Sequence, residues 1–298
     1  MIIGGVVAAL LAAVLLALGA QFQGRGVRGV DEPDEDGHGY GLHRVLRLLR
    51  SPGWLLGSGF LTAAILLQLV GLLLAPLPVV QPIGVLSLVV TALLNRRLAH
   101  SRMQPRGTLG IGLAIFGTAG FVVTASFATR TAKEPPEVVT PVLVLIGFVL
   151  LAMVAGYATL RNRAPAIAFA VAGGICFGCV VTLMKVVLDR CSVAVQTHGT
   201  LFDSTTPYTV LVGAGAAAGG LAGISLVQRA YASGSADLVV ASLTVVDPLV
   251  AVTLGIGLLG QARHAPVWTF PLFGVAEVIA IAGVVLLARN QPVQVEQT

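Results

Sequence analysis

The chain has 298 residues, 56% of them hydrophobic and only 10% charged, with a net charge of +5 and a mean hydropathy of +0.93. Soluble domains carry about 25% charged residues, so a water-facing surface cannot enclose this chain, and most of that surface must face lipid. The basic residues are almost all Arg, Lys133 and Lys185 excepted, which fits a high-GC bacterial coding sequence. No long basic run is present to meet a nucleic-acid backbone. The three cysteines, Cys176, Cys179 and Cys191, are too few and too poorly placed for a disulfide framework or a four-ligand zinc site.

In chain order, stretches long and apolar enough to cross a bilayer fall at 2–22, 53–76, 77–96, 107–127, 140–161, 164–188, 207–232, 236–260 and 266–289. The first lacks any Lys or Arg before Arg25, so it reads as a retained helix rather than a secretory leader. Ser51-Pro52, Thr140-Pro141, Ala164-Pro165, Thr206-Pro207 and Ala265-Pro266 mark starts, because Pro in a first turn loses no hydrogen bond. The expected architecture is an all-α integral membrane protein of nine spans forming one domain over 1–298.

Two loops have character. The loop 23–52 carries Asp31, Glu32, Asp34, Glu35, Asp36 and His38, which read either as oxygen ligands for a divalent cation or as a solvated acidic loop. After it, Arg44, Arg47 and Arg50 share one face of a short leucine-backed helix suited to the inner leaflet. Arg residues set the orientation. With the N-terminus outside and the C-terminus cytoplasmic, only Arg130, Lys133, Lys185, Arg190 and Arg263 fall on the outer side. A multi-pass protein of the bacterial plasma membrane is expected.

The most informative pattern is internal. Val79-Val-Gln81-Pro82-Ile83 in the third span matches Val245-Val-Asp247-Pro248-Leu249 in the eighth, Ala119-Gly-Phe-Val-Val123 matches Ala282-Gly-Val-Val-Leu286, and Gly4-Gly5 matches Gly173-Gly174. An offset of five spans makes the matched helices antiparallel across the membrane. The chain therefore divides into a first repeat over 1–127, a connecting helix over 140–161, a second repeat over 164–289 and a cytoplasmic tail over 290–298. Inverted repeats with a Pro-interrupted helix in each half are the architecture of alternating-access carriers, with the solute site near the midplane. Each Pro also frees a backbone carbonyl for a cavity.

These residues resemble a known family. Ala75-Pro-Leu-Pro-Val-Val-Gln-Pro-Ile-Gly-Val-Leu86 is similar to a helix of the NIPA-type magnesium transporter branch of the drug/metabolite transporter superfamily. Ala230-Tyr-Ala-Ser-Gly-Ser-Ala236, through Asp247-Pro-Leu-Val250 to Leu259-Gly-Gln261, resembles the second-half signature of EamA-like members. The resemblance implies a polytopic carrier of small solutes; no enzyme is expected, since the spans show no metal-ligand cluster or nucleophile-base pair, and no cofactor is expected. Ten helices are usual there and nine are found here. The Leu-Gly-Glu that ends such helices is Leu259-Gly260-Gln261 in the second half and Asn95-Arg96-Arg97 in the first.

Of 13 acidic residues, Asp247 and Glu277 fall well inside expected spans, where a charge is costly enough to face a bundle interior or a water-filled cavity. Asp247, directly before Pro248 and opposite Gln81 in the repeat, is the leading candidate for substrate contact or proton coupling. Glu277 aligns with Ala114. The alternative for both acids is a neutral carboxyl that ties helices together. Lys185, near the outer end of the sixth span, reads as an acid partner or as a side chain snorkelling to the headgroups. Gln68, Gln81, Ser87, Gln228 and Ser242 are polar enough to line the same cavity or to hydrogen-bond between helices. Trp54 and Trp268 read as interfacial anchors. Gly215, Gly219 and Gly223 read as a packing face, and Cys176-Phe-Gly-Cys179 as small-residue packing rather than a redox pair.

The candidate site is thus Asp247, Glu277, Gln81, Pro82, Pro248, Gln68 and Lys185, with no metal ligand set. The partners expected are a small-molecule solute or ion and membrane lipids, no nucleic acid, and a homodimer as the assembly to be considered. Substrates in competition are a small organic solute, magnesium, and a lipid-linked intermediate flipped between leaflets. The rival of another class is an assembly subunit that translocates nothing.

Overall fold

The computed structural model describes residues 2–28, 50–99, 105–129, 165–196, 206–233 and 236–289, with 141–142, 144–145 and 147–149 between them. The elements within this set are α1 (Ile2–Arg28), α2 (Pro52–Leu74), α3 (Leu77–Gly84), α4 (Leu86–Ala99), α5 (Pro105–Ala128), α6 (Ala166–Gln196), α7 (Thr206–Ser233), α8 (Ala236–Gly257) and α9 (Thr269–Arg289). Among the described residues, eight spans are long and apolar enough to cross a membrane, α3 and α4 together forming one of them. This is an all-α integral membrane protein. The acidic cluster 31–38, Arg44 and Arg47, and most of the expected span 140–161 lie outside the described residues.

Local chemistry explains the boundaries. Ser51 caps α2 by accepting from the Trp54 amide, and Pro52 opens its first turn. The third span is not continuous. Pro82 lies inside α3, and Val85 donates back to the Pro82 carbonyl at 3.2 Å in a tight turn before α4 begins. The sixth helix runs to Gln196 rather than stopping at 188, because Lys185 and Asp189, one turn apart, neutralise each other at 2.8 Å and let a charged stretch stay helical. The eighth ends three residues early at Gly257. There Gly260 adopts a left-handed φ of 60°, which turns the chain so that Gln261 points back into the bundle.

Packing is tightest where side chains are smallest. α1 lies along α2, α6 along α7 and α8, and α5 along α9. A Cβ on Gly219 or Gly223 would press on Val180 or Phe177, so these glycines form the expected packing face of α7 against α6. Cys176 and Cys179 are buried in α6. At the α5–α9 crossing, a Cβ on Gly117 would stand 2.7 Å from the Ala280 Cα and 2.8 Å from the Ala276 carbonyl, and one on Gly110 would stand 2.7 Å from the Leu287 amide. Backbone cannot yield as a flexible side chain can. Gly117→Val is therefore expected to destabilise the fold by about 2 kcal/mol, seen as a lower thermal midpoint in detergent. An unchanged midpoint would mean that the two helices are free to part.

Candidate functional site

A small cavity lies where α3, α5, α8 and α9 meet. Its lining comprises Pro82 and Val85 at the break after α3, Thr118 and Phe121 of α5, Thr244, Val245 and Pro248 of α8, and Glu277, Ala280, Ile281 and Val284 of α9. It holds about 10 Å³ of water-sized space, room for about one water. Among the described residues, Glu277 is the one carboxylate in a wall that is otherwise apolar apart from two threonines.

Each polar element of the wall has a local origin. Thr118 is 2% exposed, and its hydroxyl has no hydrogen-bond partner among the described residues. The hydroxyl lies in the wall of a cavity with room for about one water, and a buried hydroxyl is costly only when nothing bonds it. Thr118→Val is expected to keep or raise the thermal midpoint while slowing solute transfer, and a fall in midpoint with unaltered transfer would contradict this. On α8, Pro248 lacks the amide that would have bonded the Thr244 carbonyl, so the freed carbonyl belongs to a lining residue. The Thr244 hydroxyl is occupied by the Val240 carbonyl at 2.7 Å. On α3, Pro82 frees the carbonyl of Pro78 in the same way.

Apolar contacts flank the cavity along the helix axes in both directions. Towards the N-terminus of α3, the Phe121 and Phe273 rings pack at 5.0 Å, and Leu77 and Pro78 abut Gly255 of α8. Towards the C-terminus of α4, Val85, Val89, Ala92, Ala114, Val284 and Leu287 form a closed apolar cluster.

Of the residues singled out in the sequence, Pro82, Pro248 and Glu277 come together around this cavity. Asp247 does not line it: its backbone lies on Gly174 and Gly178 of α6, and its buried Oδ1 has no hydrogen-bond partner among the described residues. The buried Gln81 has its Nε2 in the same condition. Gln68, half-buried on α2, and Ser87, Gln228 and Ser242 are also absent from the wall. Lys185 does not snorkel. It is fully buried, donates to the Leu72 carbonyl and pairs with Asp189.

Sequence reading missed Asp189, Thr118 and Thr244. The first carried an i, i+4 signal with Lys185, the second stands one turn beyond the Ala114 that aligns with Glu277, and the third is the residue whose carbonyl Pro248 must release. Among the described residues, no group of three or more His, Cys, Asp or Glu is placed to hold a metal ion.

The model of one family, described as magnesium transporter NIPA, matches residues 1–161. An uncharacterized protein of Corynebacterium glutamicum is 25% identical over 249 residues, which cover 83% of this chain and 82% of that relative. No solved structure matches.

Proposed function

The chain belongs to the magnesium transporter NIPA family, and from that membership in a family of membrane transporters we propose that it carries Mg²⁺ by alternating access through the cavity at Glu277. The observation that carries this reading is one carboxylate, set among an unpartnered hydroxyl and a Pro-freed carbonyl, between two Pro-broken helices. Mg²⁺ keeps several of its waters and engages only one or two carboxylates, so a single Glu is enough. The cavity is too small for a hydrated ion, and this closed form is one state of the cycle. A largely apolar wall favours a second reading, a small organic cation with an apolar body.

The inverted-repeat architecture is part of the proposal, and helix pairing supports it. Spans one and two pair as six and seven do, span one meets the third as six meets the eighth, and the third and eighth meet each other, as do the fourth and ninth. When Ala119-Gly120 is set on Ala282-Gly283, Gly117 falls on Ala280. These two are also partners at the α5–α9 crossing, as an axis of two-fold pseudosymmetry through that contact requires.

Asp247, buried with an unpartnered oxygen outside the cavity wall, is suited to proton coupling. Asp247→Asn is expected to abolish stimulation by a pH gradient, and full stimulation in that variant would remove Asp247 from coupling. The protein sits in the bacterial plasma membrane with its N-terminus outside, among lipids, with an ion or small solute as its partner.

Binding tests the proposal. At about 100 times its dissociation constant, Mg²⁺ should stabilise the purified protein by about 2.7 kcal/mol, read as a rise in thermal midpoint that Glu277→Gln loses. An equal rise in both proteins would put the ion elsewhere.

A further inference from the structure

Two side chains from the second half of the chain hold the turn between α2 and α3. α2 ends at Leu74, Ala75 is extended, and α3 starts after Pro76, so the last carbonyls of one helix and the first amides of the next need partners. Lys185 of α6 donates to the Leu72 carbonyl, its charge balanced by Asp189. Gln261, in the link after α8, accepts from the Leu77 amide on Oε1 at 2.9 Å. A cation sits on the carbonyl end and an acceptor on the amide end, as helix-end electrostatics favour. Leu72, Ala75, Leu77, Lys185 and Gln261 are all buried.

This tie stands over the cavity. Leu77 precedes the lining Pro82 by about 8 Å of helix and rests on Gly255. The opposite end is built differently. Asn95 stands as far beyond Pro82 as Gln261 does beyond Pro248, yet it accepts from Gln21 of α1, a contact within the first half.

Resting on the cavity reading above, we propose that the Lys185 and Gln261 clamp is the gate over one end of the cavity. It is closed as described and opens when the α2–α3 turn leaves α6 and α8 and Leu77 parts from Gly255. The clamp then selects which face of the membrane the site sees.

A crosslink tests the gate. In a chain whose three cysteines are Ser, Leu77→Cys with Gly255→Cys puts thiols where the Leu77 Cβ lies 3.0 Å from an added Cβ, near the roughly 3.8 Å of a disulfide. Oxidation is expected to slow Mg²⁺ flux by at least about tenfold and reductant to restore it. A pair that will not crosslink, or a crosslinked chain that transports undiminished, overturns the gate.

A second measurement needs no transport. Val85→Cys in the cavity wall is labelled by a membrane-impermeant methanethiosulfonate from the side on which His264→Cys reacts. Adding Gln261→Leu should speed labelling by about fivefold, the worth of one hydrogen bond, while Gln261→Glu, which keeps the acceptor, should not. Equal rates with and without Gln261→Leu overturn the gate. Undiminished Mg²⁺ flux in Glu277→Gln would instead count against the cavity reading and leave the gate standing.

Discussion

Glu277→Gln is expected to lower the initial rate of Mg²⁺ entry into proteoliposomes by about a hundredfold without loss of the fold. Glu277 is the one carboxylate in the cavity wall. A charge-assisted contact is worth about 1.5–3 kcal/mol, and at about 1.4 kcal/mol per decade its upper end is a factor near one hundred. Stability should move the other way. A charge at the bilayer centre costs about 2.5–3.5 kcal/mol on insertion scales, and the half-buried Glu277 bears part of that, so the amide should hold or raise the thermal midpoint. Slower transport in an equally stable protein separates a site residue from a scaffold residue. A variant that transports normally would assign the ion to other groups.

The second large effect is on stability. Lys185→Met leaves the Asp189 carboxyl in the bundle without its partner. Breaking a buried pair from one side costs about 3–5 kcal/mol, and the lower end applies here because the Asp189 side chain keeps 15% exposure. Removing both charges in Lys185→Met with Asp189→Leu should recover most of the loss, since two apolar side chains need no compensation. Unfolding in SDS and detergent mixtures measures both. If the double variant is as unstable as the single one, the Leu72 carbonyl contact rather than the ion pair dominates.

What was legible in the sequence follows the range of each signal. Helix positions came from apolar length and from Pro and Ser at starts, which act within a turn, so Ser51-Pro52 places α2 correctly. The break at Val85 was half-visible: Pro82 announced a disturbance, but only packing against α5, α8 and α9 decides where the helix yields. Asp189 was lost because a hydropathy window scores each charge as polar and cannot see that two of them cancel one turn apart.

The candidate site was read at the level of elements. Pro82, Pro248 and Glu277, singled out on three different expected spans, meet around one cavity. Side-chain direction was out of reach. Asp247 and Pro248 are adjacent in sequence and about 100° apart round the helix, with the Asp247 backbone on Gly174 and Gly178 of α6 and Pro248 in the cavity wall. The Gln261 contact with Leu77 joins residues 184 positions apart, where no local pattern operates.

The most direct test of a carrier with one cation site at Glu277 is counterflow. Proteoliposomes loaded with unlabelled Mg²⁺ and placed in a trace of isotopic Mg²⁺ should first accumulate the label above its equilibrium level and then lose it, with no such overshoot for Glu277→Gln. A trace that climbs monotonically to equilibrium, or one that matches protein-free liposomes, would contradict the account.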